Sequence, residues 1–147
     1  EVFSFFVGSE EFDVVLSNDV IEHLNSRAEH LSEIYRSIKP GGRLIISAPN
    51  RDTPWKNLRS QLNLPAYADL DHKIEYLKEE FQEKLNEAGF HHTLYEGYGV
   101  LDLPINGLVD MVGVFSSTAY EKLLEAKSAL GVAIPRHTAG WHWVVLK

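Results

Sequence analysis

The chain has 147 residues, of which 44% are hydrophobic, and its formal net charge is −7. This length and apolar content suit a single globular domain that spans residues 1–147. The acidic balance, with no cluster of lysines and arginines, argues against nucleic acid as the main partner. Cysteine is absent, which excludes disulfides, thiolate metal sites and a cysteine nucleophile. No secretory signal and no apolar run of membrane-spanning length is visible, so we expect a cytoplasmic protein without a membrane partner.

The first predicted strand is Phe12–Ser17, a continuous apolar run of the kind that is buried on both faces of a parallel sheet. A helix is predicted to begin after Ser26, because Glu29 three residues later completes a capping-box pattern. Lys39 lies in the last predicted turn, and the Pro-Gly-Gly segment at 40–42 ends the helix.

Strands and helices continue to alternate along the rest of the chain. The remaining predicted elements are strands at 43–48, His92–Tyr98 and 141–146 and helices at 78–88 and 120–130. Residues 51–72 are predicted to form a long loop with one helical turn near 55–62. Residues 99–119 are mixed, since glycines and a proline interrupt them. This order indicates an α/β fold, and the first two strands with their helix form a right-handed βαβ unit.

Three stretches resemble a known family. FDVVLSNDVIEHL at 12–24 and IKPGGRLIISAPN at 38–50 resemble the fourth and fifth strand regions of class I S-adenosylmethionine-dependent methyltransferases. DHKIEY at 71–76, which leads to an Ala-Gly-Phe at 88–90, adds a further match. The resemblance implies a partial Rossmann-like sheet with flanking helices, whose last strand runs antiparallel between its two neighbours. It also implies S-adenosylmethionine as the cofactor.

In that family, cofactor and substrate sites lie at the carboxyl ends of the strands. The resemblance therefore places Ser17, Asn18 and Asp19 beside the methionine part of the cofactor. Pro49 and Asn50 end the next strand at the same edge of the sheet, where substrates enter. Trp55, in the variable loop that follows, is the aromatic candidate for an acceptor pocket, whereas Trp141 and Trp143 are interpreted as core residues.

The family's glycine-rich cofactor turn and its ribose-binding carboxylate have no counterpart in this sequence. The Gly-Ser-Glu at 8–10 does not reproduce that turn. We therefore expect the chain to be the C-terminal portion of a methyltransferase fold, as a truncated, cleaved or degenerate product. Alone, it is expected to bind cofactor weakly and to show little activity.

An acid–histidine cluster is the second candidate feature. Asp19, Glu22 and His23 are spaced to share one face of a helical turn, and His72 lies in the later matched stretch. Two carboxylates and two histidines are a ligand set for a divalent metal. The set resembles the E-x-x-E-H motif of the metal-dependent methyltransferases of ubiquinone biosynthesis and of small-RNA 3′ ends, with Asp19 in place of the first glutamate.

The same residues have other interpretations. Glu22 and His23 could instead bind the start of the following helix or pack against the loop. Without a metal, His23 or His72 could act as a catalytic base, because imidazole titrates near neutral pH.

We therefore expect a methyltransferase with a small-molecule acceptor, or a fragment of one. The alternatives are a metal-assisted relative that methylates RNA 2′-oxygens, and a non-catalytic module that binds a partner. The choice of methyl acceptor is expected to depend on variable loops rather than on the matched motifs.

The strand Phe12–Ser17 is also expected to be an open sheet edge. Two arrangements would cover that edge: residues 2–7 could fold back on it as a hairpin, or two chains could pair there as a homodimer.

Overall fold

A computed structural model describes residues 8–65, 67, 69–104 and 106–147, so the proposed hairpin of residues 2–7 lies outside the described residues. The strands are β1 (Phe12–Ser17), β2 (Ile38–Pro49), β3 (His92–Tyr98) and β4 (Gly140–Leu146). The helices are α1 (Arg27–Ser37), α2 (Pro54–Gln61), α3 (Lys78–Glu87), α4 (Asn106–Phe115) and α5 (Ser117–Ala133). Short 3-10 helices lie at Ile21–His23 and Pro135–His137.

The four strands form one sheet in the order β1-β2-β4-β3. β1 and β2 are parallel, and β4 runs antiparallel between β2 and β3. The predicted α/β class and the antiparallel last strand are therefore confirmed. Because β1 and β2 are parallel neighbours, the residues that follow them meet at one edge of the sheet.

The core lies on one face of the sheet. Alternate residues of β2 and β4 point to this face, and α1 and α3 cover it with residues that include Leu31 and Phe81. The core side chains of the two strands are Leu44, Ile46, Ala48, Trp141, Trp143 and Val145. Trp143 packs on Phe81 with the ring centres 4.8 Å apart, and both tryptophans are core residues as predicted.

β1 differs from the prediction of a strand buried on both faces. Phe12, Val14 and Leu16 are 41%, 51% and 64% exposed. Only Val15 and Ser17, on the opposite face, turn toward the core. A continuous apolar run indicates that a strand is suited to burial, but other elements must pack on the strand to bury it. No described residue covers this face of β1.

The Pro-Gly-Gly segment lies inside β2 rather than between helix and strand, since α1 ends at Ser37 and β2 starts at Ile38. The register against β1 shifts across this segment, which forms a bulge. Gly41 has a φ of 77°, which favours glycine, and a Cβ on Gly42 would lie 3.0 Å from the Asp13 carbonyl oxygen. The two glycines are thus required by the bulge.

Three further details depart from the sequence predictions. Ser26 occupies the N-cap of α1, but its side chain makes no capping hydrogen bond. The loop at 51–72 contains the two-turn helix α2, capped by Thr53 Oγ1, which accepts from Lys56 N at 3.2 Å. The mixed region contains α4, which pairs with α5 although glycines interrupt its sequence. No helix in the described part of the chain is long and apolar enough to cross a membrane.

Substituting alanine for one glycine in α5 and one in α4 tests how closely α5 packs against the end of β3. A Cβ on Gly131 of α5 would lie 2.4 Å from the carbonyl oxygen of Gly99, whereas a Cβ on Gly113 of α4 would meet nothing closer than 3.4 Å. Gly131→Ala should lower the free energy of unfolding by about 1–3 kcal/mol through overpacking. Gly113→Ala should raise it by up to about 1 kcal/mol through helix propensity. Urea denaturation of both variants measures the difference, and equal effects would contradict the close approach.

Candidate functional site

The turn after β1 is anchored to β2 by one serine. Asp19 has a left-handed backbone with a φ of 50°. Its N–H donates to Ser47 Oγ at 3.0 Å, and that hydroxyl donates back to Asp19 Oδ1 at 2.9 Å. Ser17 is buried, and its Oγ lies 3.3 Å from Nε2 of His30, a residue whose pKa is lowered by burial. Asn18 is exposed between these two residues.

The 3-10 helix Ile21–His23 buries an acid at the end of the sheet. Ile21 is fully buried in the core, and it holds Glu22 at 1% exposure. Burial raises the pKa of Glu22, and the charge of Asp19 adds to that rise, whereas a backbone hydrogen bond and the nearby histidines oppose it. Glu22 Oε2 has no hydrogen-bond partner among the described residues. This buried acceptor is available to a ligand.

His72 is brought to the same place by backbone hydrogen bonds. The N–H of Lys73 donates to the carbonyl oxygen of Glu22 at 2.7 Å. His72 Nδ1 then lies 2.9 Å from Glu75 Oε1, and its Nε2 faces Glu22 Oε1 at 4.0 Å. The rings of His72 and His23 make an edge contact with centres 4.8 Å apart.

The structure therefore brings together three of the four predicted metal ligands. Atoms of Glu22, His23 and His72 that can bind a metal all lie within 4.8 Å of one another. Asp19 is outside that group, since its carboxylate is bonded to Ser47, but it is close enough to raise the pKa of Glu22. One carboxylate and two imidazoles suit a divalent transition metal such as Mn²⁺.

The predicted substrate-side residues follow β2. Pro49 is the last residue of β2, and Asn50 next to it is 1% exposed. The Asn50 amide donates to the carbonyl oxygens of Arg136 and Thr138, and its Oδ1 accepts from the N–H of Asp52. The side chain of Asn50 therefore ties the turn after β2 to the segment that precedes β4.

A cavity of about 450 Å³ lies beside the cluster, between α2 and the loop that carries His72. It is lined by Arg51, Asp52, Lys56, Asn57, Ser60, Tyr67 and Leu77. The Tyr67 ring is 6.2 Å from the His72 ring, which connects the cavity to the cluster. Trp55 is half-buried in α2 and is not among the lining residues.

Sequence reasoning missed Lys56 and Glu75. Their side chains form a buried ion pair directly behind His72. The available signal was Glu75 itself, an acid between Ile74 and Tyr76 where both neighbours are apolar. An acid between two apolar residues is a candidate for burial, and buried acids usually have a charged partner, so such a partner could have been sought.

Comparison with known proteins is consistent with this geometry. Residues 4–46, which include β1, α1 and the first part of β2, match the family model of a methyltransferase domain. A protein of Mycolicibacterium smegmatis described as a probable S-adenosylmethionine-dependent methyltransferase is 38% identical over 95 residues. That match covers 62% of this chain but only 35% of the relative, so the chain spans about a third of the curated relative's length.

Solved structures with the same fold are longer and more distant in sequence. An S-adenosylmethionine-dependent methyltransferase from Archaeoglobus fulgidus superposes with a TM-score of 0.59 at 17% identity, covering 96% of this chain and 62% of that one. Another from Thermotoga maritima gives a TM-score of 0.62 at 16% identity, covering 96% and 58%. The chain thus has the α/β fold of class I methyltransferases. Both sequence matches, to the domain model and to the M. smegmatis protein, are to methyltransferases over part of the chain.

Proposed function

We propose that the protein transfers the methyl group of S-adenosylmethionine to a nucleophilic atom of a small-molecule acceptor. The observation that carries the proposal is the convergence of Glu22, His23 and His72 beside the Asp19 turn, at the carboxyl end of β1. In open α/β sheets, ligands bind outside the carboxyl ends of the strands. The match of residues 4–46 to a methyltransferase domain supports a methyl donor as the ligand.

Each residue has a proposed part in this reaction. Ser17, Asn18 and Asp19 bind the methionine end of S-adenosylmethionine, with the Asp19 carboxylate facing its amino group. S-adenosylmethionine supplies an electrophilic methyl group on a sulfonium. As the acceptor forms its bond to that carbon, the carbon–sulfur bond breaks. Where no metal occupies the histidines, the acceptor's proton passes to the imidazole of His23 or His72. The protein contributes mainly by placing the acceptor and excluding water.

We further propose that the acceptor enters through the cavity beside Tyr67. Its lining combines polar and charged side chains with the apolar surface of Tyr67 and Leu77, and its volume suits a small molecule. Pro49 and Asn50 border this region from the end of β2, where Asn50 holds the loop that forms the cavity wall. Trp55 adjoins the lining residue Lys56 in α2 and is the proposed aromatic contact to an acceptor.

The assignment of the cofactor site is tested by replacing an aspartate with asparagine at each end of β1, in two separate variants. Asp19→Asn keeps an oxygen that can accept from Ser47, so the turn is preserved while the charge is lost. We expect the affinity for S-adenosylhomocysteine to fall by about tenfold, the effect of one charge-assisted hydrogen bond. Isothermal titration calorimetry on the full natural protein measures this.

Asp13→Asn is the matched control, because Asp13 is an exposed carboxylate at the start of the same strand and pairs only with Lys39 among the residues described. Its affinity should equal that of the natural protein. Equal losses in both variants would refute the assignment of the turn. Absence of any binding by the natural protein would refute the proposed function.

We also propose a divalent metal at the acid–histidine cluster. The unpartnered Glu22 Oε2 is a buried acceptor that a metal would satisfy, and the donor set fits one. Glu22, His23 and His72 would hold the ion, with Asp19 as the outer acid. Bound there, a metal would lower the pKa of an acceptor hydroxyl.

Removal of the buried carboxylate tests the metal site. Glu22→Gln preserves the shape of the side chain but loses the charged ligand, so the affinity for Mn²⁺ should fall by at least about tenfold. Glu29→Gln, at an exposed position of α1, is the control and should bind Mn²⁺ as the natural protein does. Calorimetry with Mn²⁺ alone measures both, and identical affinities would contradict the site.

The remaining proposal is a homodimer through the edge of β1. Phe12, Val14 and Leu16 are exposed, and no described strand pairs with the outer side of β1. Unpaired backbone groups on an apolar edge strand are a template for pairing with a second chain. Twofold pairing of two such edges would cover both.

Two exposed leucines on opposite edge strands make the test specific. In size-exclusion chromatography with light scattering, the 147-residue chain should elute as a dimer. Leu16→Lys in β1 should give a monomer, because a lysine on an edge strand opposes further pairing. Leu94→Lys in β3, which is 52% exposed, should remain dimeric. A natural chain that is monomeric at all concentrations would rule the dimer out.

A further inference from the structure

A buried ion pair stands directly behind the candidate site. Lys56 Nζ donates to Glu75 Oε2, and the two side chains are 10% and 1% exposed. Glu75 Oε1, the second oxygen of the same carboxylate, lies 2.9 Å from His72 Nδ1. A chain of contacts therefore runs from Lys56 through Glu75 to the ring of His72.

Stability alone does not account for this pair. Removing two charges from water is costly, and apolar residues of similar volume often replace a buried ion pair without loss of stability. Here the hydrogen bonds are directed outward from the pair: Lys56 Nζ also donates to the carbonyl oxygen of Asn50 at 2.7 Å. The lysine is thus fixed on one side of Glu75, and the other carboxylate oxygen is directed at His72.

This arrangement determines which ring nitrogen of His72 carries the proton. A carboxylate only accepts hydrogen bonds, so Nδ1 must be the donor. In the neutral ring, Nε2 is then left with a bare lone pair. Nε2 is the atom that faces Glu22, 4.0 Å from Oε1, and it also lies 3.9 Å from Asp69 Oδ2.

We propose that Glu75, held by Lys56, is a positioning residue that fixes the Nδ1–H tautomer and the orientation of His72. The Nε2 lone pair is thereby presented to the site, either to a metal or to the acceptor's proton. What this lone pair does rests on the proposed function, whereas the tautomer does not. Glu75 acts through His72, and Lys56, which also lines the cavity, acts on His72 through Glu75.

The sharpest test is Glu75→Gln with Lys56 unchanged. Because Lys56 can only donate, it must take the amide oxygen of Gln, which turns the amide nitrogen toward His72. The amide nitrogen also only donates, so Nδ1 must become the acceptor and the proton must move to Nε2. Long-range ¹H–¹⁵N spectra, recorded above the pH range of imidazole titration, should show Nδ1–H in the natural protein and Nε2–H in Glu75→Gln.

A second variant tests the proposal independently if Glu75→Gln does not fold. The double variant Lys56→Met with Glu75→Leu removes both charges and the acceptor together, so no charge is left buried and unpaired. It should lose the preference for Nδ1–H, and its affinity for Mn²⁺ should fall by about 10–100-fold, the effect typical of removing a partner behind a metal ligand.

Glu96→Gln is the control, because Glu96 pairs with Lys78 elsewhere on the molecule. This variant should leave the tautomer of His72 unchanged. A natural protein with Nε2–H on His72, or an unchanged tautomer in Glu75→Gln, would overturn the proposal. A tautomer that inverts in a protein that binds no Mn²⁺ would support the positioning role and count against the metal site, so the two proposals fail separately.

Discussion

The carbonyl oxygen of Glu22 joins the two segments that form the candidate site, because the backbone N–H groups of Lys73 and Ile74 both donate to it. The bond from Lys73 is 2.7 Å long, and it joins the turn after β1 to the loop before α3. These two segments are distant in the chain and belong to no common strand. Because these bonds fix Glu22 from one segment against His72 from the other, the cluster depends on them more than on any contact between the two side chains. The site is therefore built on backbone geometry.

Burial determines the protonation and bonding properties of the acids at the site. Glu22 has one carboxylate oxygen without a partner among the described residues, and desolvation raises its pKa. Glu75 is equally buried, but Lys56 and His72 satisfy both of its oxygens. The two acids thus differ in what surrounds them and not in how deeply they lie. Glu22, which is incompletely bonded, is the acid proposed to bind a ligand, and Glu75, which is fully bonded, is the acid proposed to position a histidine.

The sequence was sufficient for the elements whose signals are local. The apolar runs of β2 and β4 predicted strands. The helical turn predicted to hold Asp19 with Glu22 and His23 is a 3-10 helix that begins at Ile21, so it leaves Asp19 outside. Features that depend on tertiary contacts were missed. Lys56 and Glu75 meet only because α2 packs against the loop of His72, and α4 forms against α5 despite its glycines. The exposure of β1 likewise reflects which elements cover it.

β1 carries two features at once, an open edge and the turn proposed to bind the cofactor. Asp19 follows the last residue of β1 by only two positions, so whatever pairs with that edge also approaches the turn. The hydroxyl of Ser47 binds Asp19 from the opposite side, through β2. Since β2 is held between β1 and β4, this anchor does not depend on the edge being covered. The turn can therefore keep its left-handed conformation whichever chain lies against β1.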